Sequence, residues 1–366
     1  MWDFGLISNN HNDDIQSSSG FVRGNRVPAT DLKRLRPTCK RWNALFKDRG
    51  FTKKHHRKAP KQSLLLIVEI NLSDPSIEFK GALALMDFYH SDSRQVDIVR
   101  VFHCDGLLLC TTKHNRLVVW NPCSGETKWI HAKTRFENHS KFALGYQDNK
   151  SCRNYKLLTC RDHYDTNREF EIYEFISDSW RVLDGVPRDN FIHICGGVSL
   201  KGNTYWVASD RKDYKSKFLL CFDFTTERFT RLSLPPTQTM TGTSLSLVRE
   251  EQLSLLQQSY LQLKMELWVT NNKFDTEEPL LWRRCFTVDF QHFPLFMTFL
   301  LDEEKKVAAC CRQSCWYRRN MVYIIGEDDE CYTEIPLGRS TNKAWMPFIF
   351  DYVPSLVQIQ QCKRKE

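Results

Sequence analysis

Five two-stranded units recur along this chain about every 50 residues, and each carries a bulky aromatic at the same point. They read VVWNPCSGETKWI, IYEFISDSWRVL, CFDFTTERFTRL, ELWVTNNKFDTEEPLLWRRC and VYIIGEDDECYTEI. In each, an apolar run meets a polar bend, and a second run follows with Trp129, Trp180, Phe229, Trp282 or Tyr332 near its start. A second set of bends falls between these units, at Asp105-Gly106, 148–150, 201–203, 249–251 and 302–305. Asp-Gly between apolar runs favours a tight hairpin, because a primed turn needs positive φ at its central residues. Two hairpins per period make four strands per unit, the layout of a kelch-like propeller blade.

The expected fold is therefore mainly β, a propeller of about six four-stranded blades. The flanks Ser63–Ile70, Ser76–Leu85 and Trp345–Ile359 also read as strand material. A propeller must hide its edges, so strands from the two ends are expected to pair and complete the sixth blade. Ser254–Lys264, whose leucines fit helix or strand, is read as strand from its place in the repeat.

The N-terminal part differs in kind. Residues 1–24 are polar and without periodicity, and are expected to be disordered. From 25 to 60 the apolar residues Leu32, Leu35, Cys39, Trp42, Leu45 and Phe46 fall at steps of three and four, which marks an amphipathic helical face. Pro37 inside that pattern removes a hydrogen bond and clashes with the preceding turn, so the spacing predicts short helices with a break near Arg36. The domains are thus 1–24, 25–60 and a β domain at 61–366.

The net charge of +8 is concentrated here. Between Lys33 and Lys61 stand 12 Lys or Arg and one acid, Asp48. The densest part, KKHHRKAPK at 53–61, could meet phosphates or act as a nuclear import signal. The plainer reading is a solvated helix end and linker. Base readout would need a groove-entering helix or stacking aromatics, which the patch lacks, so no nucleic-acid partner is expected. Nor is a membrane partner, since no apolar run reaches the length of a bilayer span. With no secretory signal in the first residues, the 14 cysteines read as reduced thiols of a cytoplasmic or nuclear protein.

The segment VPATDLKRLRPTCKRWNALFKDRGF resembles the second half of an F-box. FHCDGLLLC, LVVWNPCSGETKWI, ALGY, YKLL, SWRVL, GVSLKGNTYWVA, FDFTTERF and DYVPSLVQI, in that order, resemble the F-box-associated interaction domain of plants. The resemblance implies the substrate receptor of an SCF-type ubiquitin ligase. In that family the F-box docks on the Skp adaptor of the cullin core, and the associated domain holds the protein to be ubiquitinated. Carried over to this chain, the adaptor-binding residues are Val27, Pro28, Leu32, Leu35, Cys39 and Trp42. The alternative for Leu32, Leu35 and Trp42 is simple packing against the propeller. The family's opening Leu-Pro helix is missing before Val27, which leaves a propeller that binds a partner without any ligase link as a second reading.

Catalytic and metal chemistry find little support. Cys310, Cys311 and Cys315, with Cys331 beyond, lack the second knuckle of a structural zinc site. Neighbouring residues of a strand face opposite ways, so Cys310 and Cys311 are expected to diverge as buried thiols. His103-Cys104-Asp105 has the residue types of a nucleophilic site, but adjacent strand residues do not converge, and Asp105 suits the turn. No cofactor is expected. The polar stretches Arg161–Arg168, Asp210–Lys217 and Asn271–Glu278 are expected to form a recognition rim.

Overall fold

The computed structural model describes residues 40, 44–45, 48, 51–52, 55, 64–68, 98–112, 115–131, 140–149, 152–161, 169–183, 191–193, 196–210, 212–213, 216–236, 242–271, 280–290, 296–312, 319–327, 333–339 and 348–359. Among them lie 23 strands, all paired antiparallel to their neighbours. Blade 1 holds β2 (Ile98–Cys104), β3 (Leu107–Thr112), β4 (Leu117–Trp120) and β5 (Thr127–Ile130). Blade 2 holds β6 (Lys141–Asn149), β7 (Cys152–Arg161), β8 (Glu169–Glu174) and β9 (Ser179–Val182). In blade 3 the first position is split into β10 (Phe191–His193) and β11 (Val198–Leu200), followed by β12 (Asn203–Asp210), β13 (Lys217–Asp223) and β14 (Arg228–Leu232). Blade 4 holds β15 (Gly242–Val248), β16 (Gln252–Ser259), β17 (Lys264–Thr270) and β18 (Trp282–Asp289). Blade 5 holds β19 (Phe296–Asp302), β20 (Val307–Arg312), β21 (Arg319–Gly326) and β22 (Thr333–Arg339).

The turns that start each blade follow from local backbone chemistry. Asp105 and Gly106 have φ of 56° and 77°, and Lys201 and Gly202 have 50° and 87°, which is the primed geometry that matches strand twist. Arg249 and Glu250 hold φ of 55° and 54° without a glycine. The second strand of each blade is buried on both faces, as in β3 and β16. Ser254–Lys264 begins as strand, as expected, and turns after Ser259.

Apolar clusters fill the seams between blades. Leu109, Val119, Leu144, Leu157 and Tyr173 pack between blades 1 and 2. Ala143, Ile172, Trp206, Phe222 and Phe224 pack between blades 2 and 3. Leu219 and Leu253 meet between blades 3 and 4, and Leu256, Phe286, Phe299 and Tyr323 between blades 4 and 5. The aromatics at fixed places work at these seams. Trp180 donates its indole N–H to His131 O at 2.7 Å, and Trp282 donates to Ser233 O at 2.9 Å. In both cases the acceptor follows the outermost strand of the preceding blade. Phe229 reaches back to Phe170 of blade 2, with ring centroids 4.9 Å apart. Trp129 lies under the Arg116 guanidinium, and Tyr332 falls outside the described residues. At the seam of blades 4 and 5 the Gln258 amide takes a strand's part: Nε2 donates to Phe296 O and Oε1 accepts from Phe296 N, at 2.9 and 3.0 Å.

Strands from both ends do pair, but among the described residues the count of complete blades is five, not six. Between blades 5 and 1 stands a two-stranded sheet of β1 (Leu64–Val68) and β23 (Phe348–Tyr352). Ile349 of β23 packs into the cluster of Leu300, Cys311 and Val322 in blade 5. After β23 the chain leaves the ladder. Pro354 offers no N–H to a ladder, and 353–359 instead run along blade 1, held by side chains. Asn121 Nδ2 donates to Ser355 O and Val357 O, and the Ile359 N–H donates to Glu126 Oε2. Ile359 is buried in the seam of blades 1 and 2. Ser76–Leu85 lies outside the described residues.

Of the N-terminal part, positions 40, 44, 45, 51, 52 and 55 are helical. Asp48 interrupts them. Its Oδ1 accepts the Phe51 N–H at 2.6 Å and its carbonyl accepts the Thr52 N–H at 3.0 Å, the pattern of an N-cap. The break expected near Arg36 and the disorder expected at 1–24 lie outside the described residues.

Candidate functional site

Antiparallel order within each blade gives the ring two distinct ends. The β2–β3 turn at Asp105-Gly106, the β11–β12 turn at Lys201-Gly202 and the β15–β16 turn at 249–251 share one end, called here the turn end, because the inner turns touch. Tyr146 N, at the close of β6, donates to Gly202 O at 3.0 Å, and Arg249 pairs with Glu304 of blade 5. The β3–β4, β7–β8, β12–β13 and β16–β17 connections leave from the opposite end, called here the loop end.

At the turn end a polar cluster links blades 1, 2 and 3. Ser199 donates to Cys104 Sγ at 3.2 Å, so the first strands of two non-adjacent blades meet. Asp105 receives the Arg153 guanidinium, and the Tyr155 hydroxyl donates to Asp105 Oδ2 at 3.0 Å. Arg153 also lies over the Tyr146 ring at 4.4 Å. His103 Nε2 accepts the Gly106 N–H at 2.9 Å. His103, Cys104 and Asp105 are thus each engaged with a different partner and converge on no common point. Burial, with the Asp105 charge adding to it, pushes the Cys104 thiol well above its ordinary range, which keeps it protonated. This arrangement holds a turn; it does not present a nucleophile.

The cysteine reading holds for the described pair. Cys310 faces the seam with blade 4 and Cys311 the seam with β23, on opposite sides of β20, both buried thiols. Burial raises Cys310 far above the ordinary thiol range. Cys315 and Cys331 lie outside the described residues.

A charge clasp ties blades 2 and 3 near the turn end. Lys156 Nζ donates to Glu227 Oε1 at 2.7 Å and to Phe224 O at 3.3 Å, and Arg181 joins Glu227 to Glu174. Burial pushes the Glu227 carboxyl up, but hydrogen bonds from Arg181 and Lys156 outweigh it and leave it below the usual value. A carboxylate depressed in the folded state adds stability above its unfolded pKa of about 4.3, and that stability is lost as pH falls through the folded value. Glu227→Gln is expected to lower stability by about 2–4 kcal/mol at pH 7, because Lys156 stays buried without its charge partner. In urea melts across pH 7 to 3, the gap between the two proteins should narrow as the pH drops below about 4. A gap constant over that range would show that the clasp carries no charge-dependent stability.

The three loops expected to form one rim do not share an end. The connections after β7 and after β12, at 162–168 and 211–216, leave from the loop end. The connection after β17, at 271–281, leaves from the turn end, because it joins the third and fourth strands of its blade, not the second and third. The loop end carries a feature the sequence reading missed. Tyr260 and Leu261, at the β16–β17 turn, are 62% and 75% exposed. Leu263 in the same turn has φ of 50°, a conformation that a bulky residue rarely adopts. The signal was hidden because LSLLQQSYLQL continues the apolar pattern of β16 without a break.

The expected adaptor-binding residues Val27, Pro28, Leu32, Leu35, Cys39 and Trp42 all lie outside the described residues. Nearby, Leu45, Phe51 and His55 are buried, with the Phe51 and His55 rings 5.9 Å apart.

Residues 59–359 match the F-box associated beta propeller domain. The chain belongs to that family. It is 55% identical over 356 residues to an Arabidopsis thaliana protein named as an F-box/kelch-repeat protein, covering 92% of this chain and 94% of that one. It is also 55% identical over 303 residues to an Arabidopsis thaliana F-box protein, covering 78% and 88% of the two chains. A third F-box protein from the same plant is 45% identical over 364 residues, covering 92% of each. The match to this F-box-associated propeller begins just before β1 and ends with Ile359, so the family unit includes the segment that locks the ring onto blade 1.

Proposed function

We propose that this chain is a substrate-recognition subunit of an SCF-type ubiquitin ligase, working in the cytoplasm, the nucleus or both. Its propeller holds a target protein, and its N-terminal helical segment meets a Skp-type adaptor through Val27, Pro28, Leu32, Leu35, Cys39 and Trp42. The observation that carries this reading is the pairing of an F-box-associated propeller with relatives along nearly the whole chain that are named as F-box proteins. Its role is that of a receptor, with no bond-making step of its own. The loop end supports protein contact: Tyr260 stands exposed on a turn tip beside Leu261, and tyrosine is among the residues that contribute most at protein interfaces.

The test is retention of the full chain on an immobilised Skp adaptor, with circular dichroism confirming a folded β domain. Retention that is lost in a Leu32→Asp/Leu35→Asp variant is expected. A folded propeller that passes through unretained removes the ligase role and leaves a propeller that binds its partner alone.

A further inference from the structure

On β16, Gln258 faces blade 5 and its amide is bonded at both ends to Phe296. Its neighbour Gln257 faces the other way. It is 1% exposed, yet its Oε1 has no hydrogen-bond partner. A buried polar atom left unpaired is costly, and a native fold that keeps one calls for an explanation.

Strand register shows what surrounds it. Leu253 of the same strand packs with Leu219 of blade 3, so the alternate residues Leu255 and Gln257 face blade 3 as well. Pairing sets Thr243 of β15 and Glu266 of β17 directly beside Gln257. The polar row Thr243–Gln257–Glu266 therefore crosses blade 4 at the loop end, where the seam with blade 3 opens. The next row toward the turn end is Leu245–Leu255–Trp268. It is apolar except for the Trp268 indole N–H, which is also buried without a partner. Gln257 and Trp268 are diagonal neighbours on paired strands, a spacing that long and aromatic side chains span.

The charges around this row select what could fill it. Lys217 of blade 3 donates to Thr243 Oγ1 at 3.4 Å. Arg284 stands 3.5 Å from Glu266 Oε1 and lies over the Trp268 ring at 5.9 Å. An added anion would meet the Glu266 carboxylate and the Gln257 oxygen; an added cation would meet Lys217 and Arg284. A neutral carboxamide brings an N–H for Gln257 and a C=O for Trp268 with no added charge. The flexible stem of Lys217 can swing aside to admit it. Three residues beyond Gln257, Tyr260 and Leu261 project from the same blade at the same end.

We propose that the loop-end mouth of the seam between blades 3 and 4 takes the side-chain amide of an Asn or Gln from a bound protein, with Tyr260 and Leu261 holding an apolar neighbour of that residue. This rests on the reading of the propeller as a protein-binding domain.

Nitrogen-15 NMR of the full chain tests it, following the Trp268 indole N–H, assigned with Trp268→Phe. Propionamide should shift this resonance saturably, whereas propionate and propylammonium should not. In Gln257→Leu the affinity for propionamide should fall about tenfold, the worth of one hydrogen bond. The same variant should melt at or above the parent midpoint, because an unpaired amide gives way to an apolar group of similar size. Acetylated Leu-Gln should bind more tightly than acetylated Gly-Gln, and Leu261→Ser should abolish the difference. A Trp268 resonance that ignores propionamide, responds equally to an ion, or exchanges only with a trapped water overturns the proposal. So does a lowered midpoint in Gln257→Leu, which would make that amide a structural hydrogen-bonder, and so does equal binding of the two dipeptides. None of these readouts involves the Skp adaptor, so failure here leaves the ligase reading standing, and failed adaptor retention leaves this site standing.

Discussion

Removing Trp345–Glu366 will leave a chain with no cooperative unfolding transition. The deletion takes away β23, so Leu64–Val68 has no strand to pair with. It also takes away 353–359, whose carbonyls satisfy both donors of the Asn121 amide. Ile349, Val353, Leu356 and Ile359 are all buried. At about 1.5–3 kcal/mol for each buried aliphatic side chain, their loss amounts to roughly 6–12 kcal/mol. That matches the whole stability of an ordinary domain, about 5–15 kcal/mol. Thermal melting followed by circular dichroism is the measurement, with Ile359→Ala as the graded companion, expected to cost about 2–5 kcal/mol. A truncated chain that melts cooperatively at the original midpoint would mean the ring does not depend on its closing sheet.

Gly145→Ala should be among the most damaging single methyl additions at the described glycines. A Cβ at Gly145 would lie 2.3 Å from Gly202 O and 2.3 Å from the Phe224 ring. The neighbouring Tyr146 N–H donates to that same carbonyl, so the backbones of blades 2 and 3 approach as closely as a hydrogen bond allows. Neither obstacle is the free end of a flexible side chain. Overpacking of about 1–3 kcal/mol and the disturbed hydrogen bond of about 1–3 kcal/mol together predict a loss of about 2–6 kcal/mol. For a domain of this size that is a drop of roughly 3–10 °C in melting temperature. The same substitution at Gly125, whose Cβ would meet nothing within 4 Å, faces only the strain of φ +74° and should cost far less. Equal losses at the two sites would show that the close approach at Gly145 is not what the glycine serves.

The blades were legible in the sequence because a hairpin is local. Asp105-Gly106 and the aromatics at Trp129, Trp180, Phe229 and Trp282 lie within a few residues of the strands they organise, so period and turn chemistry sufficed. The opposed faces of Cys310 and Cys311 followed from strand alternation for the same reason. Ring closure was legible only in outline, since it joins residues separated by nearly the whole domain. Pro354 was visible, but the path of the chain beyond it depended on Asn121 waiting on another blade to receive it. The end to which 271–281 belongs could not be read from polarity. It follows from whether a connection joins second to third or third to fourth strand. Gly145 stood in plain sight in ALGY, yet the reason for it sits on the next blade, at Gly202 and Phe224. The candidate protein-binding surface divided along the same line: polar loops were visible, whereas the Tyr260-Leu261 tip was hidden inside an apolar run.

The pairing of β1 with β23 has a consequence for biosynthesis. Val68 leaves the ribosome 280 residues before its partner Phe348. At about 5–20 residues per second, that first strand waits roughly 15–55 s with an unsatisfied backbone edge. The five blades can form in order of emergence while the circle stays open. Closure of the ring waits until β23 and 353–359 clear the exit tunnel, and until then the nascent chain displays an unpaired strand edge.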